Sequence, residues 1–236
     1  MRLTRVAKLA ATAVMAGAAT LMAPAAAQAA VPVGGATPVL VGGVAGCTIT
    51  AAGYDDSGAP VAFTAAHCSE RIDAPVILRD DPGAGVIGTI ATRNEILDYS
   101  VIRLDPGVAV PVRQAGIVGR GPAPQFGDVV CKDGLTTGHT CGITWQREGD
   151  RFWTHACAGY GDSGGPVIRE GRLVGLLSGG HMPPDAGSAG SIGPLLPSCI
   201  HPAQTPFFLP AVAYSFDAIV ADATARDWPG SGFRMA

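Results

Sequence analysis

An all-β fold is what this sequence predicts, and three observations carry that expectation. Glycine and proline are abundant, at 33 and 19 residues, while only 15% of the chain is charged. Short apolar or β-branched runs recur between turn-forming residues, the pattern of strands joined by tight connections. Helical periodicity is scarce, and one stretch near the end of the chain is the only plausible helix.

Taken in order, the chain opens with Arg2, Arg5 and Lys8, followed by an Ala-rich apolar stretch from Leu9 to Met22 and by Ala27-Gln28-Ala29. A basic start, an apolar middle and a small-residue site are the parts of a secretory leader, so residues 1–29 are expected to be a signal peptide cleaved after Ala29. A membrane anchor is the alternative, but the stretch is short for a span and Pro24 follows it. No later stretch has the length and apolarity to span a bilayer, so a secreted, extracellular protein with no membrane contact after leader removal is expected. Strand-like runs follow at Val61 to Ala65, Val86 to Ile90, Val101 to Leu104, Val129 to Cys131, Pro166 to Ile168 and Leu173 to Ser178. Phe216 to Ala223 is the helix.

The formal net charge is −3, and losing Arg2, Arg5 and Lys8 with the leader makes the mature chain more acidic. Nucleic acid is thereby excluded as a partner, because phosphate binding needs a clustered excess of Lys and Arg. All six cysteines follow the leader. An even count in an exported chain points to disulfides, with fifteen connectivities open. Zinc is the rival reading, weakened by the lack of Cys-x-x-Cys or His-x-x-x-His spacing. No acidic loop has calcium-ligand spacing, so neither metal nor cofactor is expected. His139, His155, His181 and His201 are scattered and read as surface or loop residues.

Chemistry concentrates in three places. Gly161-Asp162-Ser163-Gly164-Gly165-Pro166 places a serine hydroxyl beside backbone donors, Thr64-Ala65-Ala66-His67-Cys68 offers an imidazole, and Asp98-Tyr99-Ser100-Val101-Ile102 a carboxylate. A serine hydroxyl is a poor nucleophile at neutral pH unless a base takes its proton as it attacks. His67 is the proposed base and Ser163 the nucleophile. Asp98 would fix the ring tautomer and stabilise the imidazolium without being protonated itself. Asp105 and Glu95 are rivals for that role, but Asp98 directly precedes an apolar strand-like run. The amides of Gly161 and Ser163 could both point at the developing oxyanion, each such donor being worth roughly 3 kcal/mol.

In these residues and in their order, His then Asp then Ser, the chain resembles a chymotrypsin-like serine protease. Cys131 to Gly142, Cys157 placed before Ser163, Ser178-Gly179-Gly180 and Thr205-Pro206-Phe207-Phe208 resemble its bacterial branch, the streptogrisin and α-lytic type. The resemblance covers about residues 41 to 224 and implies two six-stranded antiparallel β-barrels with a short C-terminal helix, the active site lying between the barrels. Residues 30–40 would then be a short extension, 41–115 the first barrel, 116–215 the second, and 216–236 the helix and tail, with the crossover in the Gly- and Pro-rich stretch from Pro111 to Pro124. It also implies the pairings Cys47 with Cys68, Cys131 with Cys141, and Cys157 with Cys199.

Three further expectations come from the same resemblance. Val41-Gly42-Gly43 looks like the start of an inserted N-terminus, but it lies too close to Cys47 in the chain for its amine to travel far. Bacterial relatives instead pair the aspartate before the nucleophile, here Asp162, with a basic residue, here Lys132. Relatives more often have arginine there, and lysine supplies a point charge without a fork. Residues 30–40 are too short for a folded pro-domain, so leader removal alone is expected to suffice for activity.

The substrate pocket would be lined by Ala158, Leu177, Ser178, Gly179, Gly180 and Thr205, where no acidic residue can hold a cationic side chain. No histidine precedes Ser178, and uncharged residues are expected at P1, although the stretch between Gly180 and Cys199 is an insertion that could fold over the pocket. The expected function is a monomeric serine endopeptidase acting on peptides or proteins. The alternative is a catalytically impaired homologue serving as a binding or adhesive module, since a triad works only when assembled.

Overall fold

The computed structural model describes residues 30–43, 45–111, 114–180, 199 and 208–236. The expected signal peptide, Thr205, His181, His201 and the stretch between Gly180 and Cys199 lie outside the described residues. The first part of the chain supplies β1 (Val31–Pro32), β2 (Pro38–Val41), β3 (Ala45–Thr48), β4 (Ala51–Tyr54), β5 (Pro60–Thr64), β6 (Pro75–Leu78), β7 (Val86–Asn94), β8 (Tyr99–Leu104) and β9 (Val108–Ala109). The second part supplies β10 (Gly119–Arg120), β11 (Val129–Lys132), β12 (Thr140–Glu148), β13 (Arg151–Thr154), β14 (Pro166–Arg169), β15 (Arg172–Gly180), β16 (Ala211–Ser215), the helix α1 (Phe216–Ala225) and β17 (Arg234–Met235).

The first sheet runs β17-β4-β5-β8-β7-β6-β2-β3. Strands β3 and β4, near its two ends, are separated in sequence only by Ile49 and Thr50, so the sheet must curl to bring them together. Alternation along β7 shows which side is the core, with Ile90, Thr92 and Asn94 buried and Thr89, Ala91 and Arg93 half-buried between them. The second sheet runs β10-β15-β14-β11-β12-β13-β16, and a ladder between β15 and β16 closes β11 to β16 into a six-stranded barrel. The all-β expectation is met, as a closed barrel and a curled sheet with one short helix.

Helix α1 begins where Ser215 caps it, its Oγ accepting from Ala218 N at 3.4 Å, and Asp217 suits the positive end of the helix. It follows the second barrel in sequence, lies against β15 and β16 of that barrel, and reaches the first sheet through Phe216. The Phe63 ring lies 5.2 Å from Phe216 and 5.0 Å from Phe233, both edge to face. The tail beyond α1 adds β17 beside β4, so the end of the chain completes the first sheet. The second barrel has its own core, built around Val130, Phe152, Val167, Leu177 and Ala213. Cys47–Cys68, Cys131–Cys141 and Cys157–Cys199 are the disulfides, the three pairings the resemblance implied. Val41 lies within β2, paired with Ala45 and Val76.

Candidate active site

His67 sits on a single 3₁₀ turn, Ala66–Cys68, directly after β5. Cys68 ties that turn to β3 through Cys47. From β7, the Arg93 guanidinium donates to Ala66 O at 3.2 and 3.3 Å and to Glu70 O at 2.9 Å, bracing the turn on both sides of His67. Asp98 is the last residue of the connection between β7 and β8, just before the closing pair Asn94 and Tyr99. It has φ 45°, a left-handed conformation that costs a non-glycine residue free energy and persists only where its surroundings hold it.

The two side chains meet. Asp98 Oδ2 lies 2.8 Å from His67 Nδ1, and Asp98 Oδ1 accepts the His67 backbone amide at 3.0 Å. A third donor, the Ser178 hydroxyl, reaches Asp98 Oδ2 at 2.5 Å. Burial alone would raise the Asp98 pKa, but the His67 ring and the Ser178 hydroxyl outweigh it and hold the carboxyl below its ordinary value. The imidazole stays accessible, with 49% of its side chain exposed against 12% for Asp98.

Ser163 lies in the turn before β14. Gly161 has φ 97° and Gly164 φ 83°. At Gly164 a Cβ would also come within 2.3 Å of Thr48 O and Thr64 Oγ1, so glycine is needed for both conformation and close approach. Three bonds pin this turn to the first sheet. Thr48 N donates to Ser163 O at 2.8 Å, Thr48 Oγ1 to Gly161 O at 2.9 Å, and Thr50 Oγ1 to Gly164 O at 2.5 Å. With the carbonyls thus engaged, the amides of Gly161 and Ser163 donate to no acceptor among the described residues. Ser163 Oγ donates to Ser178 O at 3.2 Å, and among the described residues no hydrogen bond joins it to His67.

Asp162 and Lys132 form an ion pair at 3.1 Å with both side chains fully buried. Lys132 Nζ also donates to Gly138 O at 2.8 Å and to the Thr137 hydroxyl. Asp162 accepts from Thr136 N, Thr137 N, Thr137 Oγ1 and Gly159 N at 2.6 to 3.1 Å. Burial works to raise the Asp162 pKa, and the Lys132 charge together with these donors drives it below the ordinary carboxylate range. A lysine without a fork therefore fills this position by taking three acceptors at once.

Among the expected pocket residues, Ala158 and Leu177 are buried in the core of the second barrel. Ser178, Gly179 and Gly180 continue β15, pairing with β16 at Gly179↔Val212 and Gly180↔Ala211. On the other side, pairing with β14 ends at Pro166↔Leu176, so among the described residues no strand pairs with the edge of Ser178 to Gly180 that lies beside Ser163. Thr48, Thr50 and the Ser178 hydroxyl are site residues that the sequence reading did not single out for these roles. Thr48 and Thr50 are buried and Ser178 half-buried, and neither a threonine in a β-branched run nor a serine before two glycines carries a signal of these bonds. His139 and His155 are exposed, as expected. Cys131 and Cys141 gather near His139 but are bonded to each other, leaving no thiolate there to hold a metal.

The closed barrel, the curled sheet and the site between their connecting turns define the fold of the bacterial chymotrypsin-like serine proteases. A chymotrypsin from Cellulomonas bogoriensis superposes with a TM-score of 0.59 at 22% identity, over 87% of this chain and 100% of that one. The Nocardiopsis protease NAPase gives 0.60 at 20% identity, over 81% and 96%. Thermobifida fusca protease A gives 0.58 at 21%, over 81% and 95%. No family model matches the chain. In sequence it is similar to an uncharacterized protein of Mycobacterium tuberculosis, 32% identical over 163 residues, which is 62% of this chain and 66% of that relative, just under two thirds of its length. Among the described residues no helix is long and apolar enough to cross a membrane.

Proposed function

We propose that this chain is a secreted serine endopeptidase of the bacterial chymotrypsin-like kind, hydrolysing peptide bonds through an acyl-enzyme on Ser163. The observation that carries the reading is Asp98 Oδ2 at 2.8 Å from His67 Nδ1, because a carboxylate on that nitrogen leaves Nε2 as the base. In this scheme the Ser163 hydroxyl attacks the scissile carbonyl while His67 Nε2 takes its proton. The oxyanion forms against the amides of Gly161 and Ser163, which donate to no acceptor among the described residues. His67 then returns the proton to the leaving amine, water enters by the same route, and the acid product leaves Ser163. The substrate backbone would add as a strand to the open edge of Ser178 to Gly180, which binds main chain without selecting side chains. Residues 41–115, extended back to Pro38 by β2, and residues 116–215 are assigned to the two halves of the enzyme, and 1–29 to its leader. An uncharged P1 residue is proposed because the residues assigned to the pocket, Ala158, Leu177, Ser178, Gly179, Gly180 and Thr205, carry no carboxylate to meet a cationic side chain.

One observation favours the second reading, a homologue with an impaired site that binds rather than cuts. The Ser163 hydroxyl is directed to Ser178 O and not to His67. Catalytic hydrogen bonds often tighten only when substrate arrives, which is why the enzyme reading leads. A fluorophosphonate probe decides between them. Stoichiometric labelling of the purified, disulfide-bonded protein, abolished by Ser163→Ala, is the expected result, and absence of labelling in the wild type would hand the chain to the binding-module reading.

A further inference from the structure

The connection that presents Asp98 is held at its far end by the C-terminal helix. Asp222 on α1 accepts two buried donors on one oxygen, Asn94 Nδ2 and Tyr99 OH, each at 2.7 Å from Oδ2. Asn94 and Tyr99 are the pair that closes the β7–β8 hairpin, so Asp98 lies between two residues clamped to a single carboxylate. The Asn94 amide is put to use at both ends. While its nitrogen donates to Asp222, its oxygen accepts the amides of Ile96 at 2.9 Å and Leu97 at 3.1 Å, shaping the turn that ends in Asp98.

Four features make this more than an ordinary surface contact. Tyr99 is fully buried and Asn94 nearly so, so neither can exchange Asp222 for water without cost. Arg226 Nε, one helical turn further on, lies 2.9 and 3.0 Å from the two Asp222 oxygens, and its guanidinium lies 4.8 Å from the Trp228 ring. Asp98 itself has φ 45°, and a backbone in that region relaxes unless something holds it. Burial and the adjacent Asp222 both push the Tyr99 hydroxyl pKa upward, which keeps it a donor throughout the working range.

We propose that Asp222 is a positioning residue for catalysis, holding Asp98 on the His67 ring through Asn94 and Tyr99. The proposal rests on the reading of His67, Asp98 and Ser163 as a triad, and it assigns a task in that triad to a helix from the opposite end of the chain. Losing the clamp lets the turn relax and moves the Asp98 carboxylate, while the oxyanion donors and the open strand edge stay where they are. Turnover should therefore suffer and substrate binding should not.

The test compares Asp222→Ala, Asp222→Asn and Tyr99→Phe in the full chain, with Asp217→Ala on the same helix as the control. Hydrolysis of a p-nitroanilide peptide with phenylalanine at P1 gives kcat and KM, and the low-field proton resonance of His67 Nδ1–H reports its bond to Asp98 directly. Expected for Asp222→Ala is a fall in kcat of about tenfold or more with KM within about twofold, as small misplacements of reacting groups produce, together with a shifted or lost Nδ1 resonance. Asp222→Asn and Tyr99→Phe should show the same signature more weakly, and they provide the reading if the alanine variant does not fold. Unchanged kcat and an unchanged resonance, with or without a lower Tm, would overturn the proposal. If the wild type cleaves nothing, the triad reading fails separately, and the resonance in wild type and variants still decides whether Asp222 positions Asp98.

Discussion

Asp98 and Asp162 are both buried carboxylates held below the ordinary carboxylate range, yet they are built for opposite purposes. Asp98 faces a ring that is half exposed, and its protein donors are few, namely His67 N, His67 Nδ1 and the Ser178 hydroxyl. Asp162 faces a lysine with no exposure at all and is saturated by Lys132, both amides of the 136–137 segment, the Thr137 hydroxyl and Gly159 N. The carboxylate whose partner gains and loses a proton in the proposed reaction is left at the edge of solvent. One that only has to hold the Ser163 turn in place is dried and locked. The first cluster should therefore govern rate and the second stability.

The largest effect that can break this comparison is on rate. Asp98→Asn keeps the shape of the turn but presents the wrong hydrogen-bond character to His67 Nδ1, and a fall in kcat of about 10⁴ is expected. Thermal unfolding of the same variant should change little, since the carboxylate is only one of several groups fixing the turn. A loss of stability as large as the loss of activity would mean that Asp98 is structural like Asp162, and the distinction would collapse.

At the second cluster the signs reverse. Lys132→Met leaves a buried carboxylate without its cation, and about 3 to 5 kcal/mol of stability should be lost, measured by denaturant unfolding. Adding Asp162→Asn should return much of that loss, because a neutral pair no longer carries the desolvation cost of a charge. Acid sharpens the same test. Asp162 has a folded-state pKa below its unfolded value, so the stability it contributes is fully present above about pH 4 and is lost as pH falls through the depressed folded value. The double variant should lack that share of the acid-induced decline.

How far each cluster can be read from the sequence follows the same division. His67, Asp98 and Ser163 are legible as candidates because the proposed chemistry demands those residue types and because their order in the chain resembles that of one protease family. Lys132 is legible as a charge beside a cysteine, but its complete burial is not, because nothing local to residue 132 distinguishes a dry lysine from a solvated one. What dries it is a set of contacts from residues 136–138, within the Cys131–Cys141 loop, and from 159–162, which are remote in sequence. Ser178 is legible as part of a strand that could carry substrate, whereas its hydroxyl on Asp98 depends on how the two halves of the molecule meet. Strands β12, β13 and β16 lie outside the runs that apolar pattern picks out, being defined by pairing with neighbours rather than by their own sequence. The tail after α1 is hidden for the same reason, as only the folded first sheet offers β4 as a partner for Arg234 and Met235.

The smallest effect tests the contact on which both clusters rely. Thr50 Oγ1 donates to Gly164 O at 2.5 Å, and Thr48 gives two further bonds to the Ser163 turn, so the first sheet positions the proposed nucleophile that the second barrel carries. Thr50→Val keeps volume and β-branching while removing one of these bonds. It should cost about 1 kcal/mol, or up to about 3 if Gly164 O finds no other donor. Activity should fall by only a few-fold, because the two Thr48 bonds remain and still hold Ser163 O and Gly161 O. Unfolding and fluorophosphonate labelling rates on the same variant measure both quantities. A labelling rate that drops by orders of magnitude while stability barely moves would place Thr50 with Asp98 among the groups that set rate, and would show that the division between the two aspartates does not extend to the seam between the sheets.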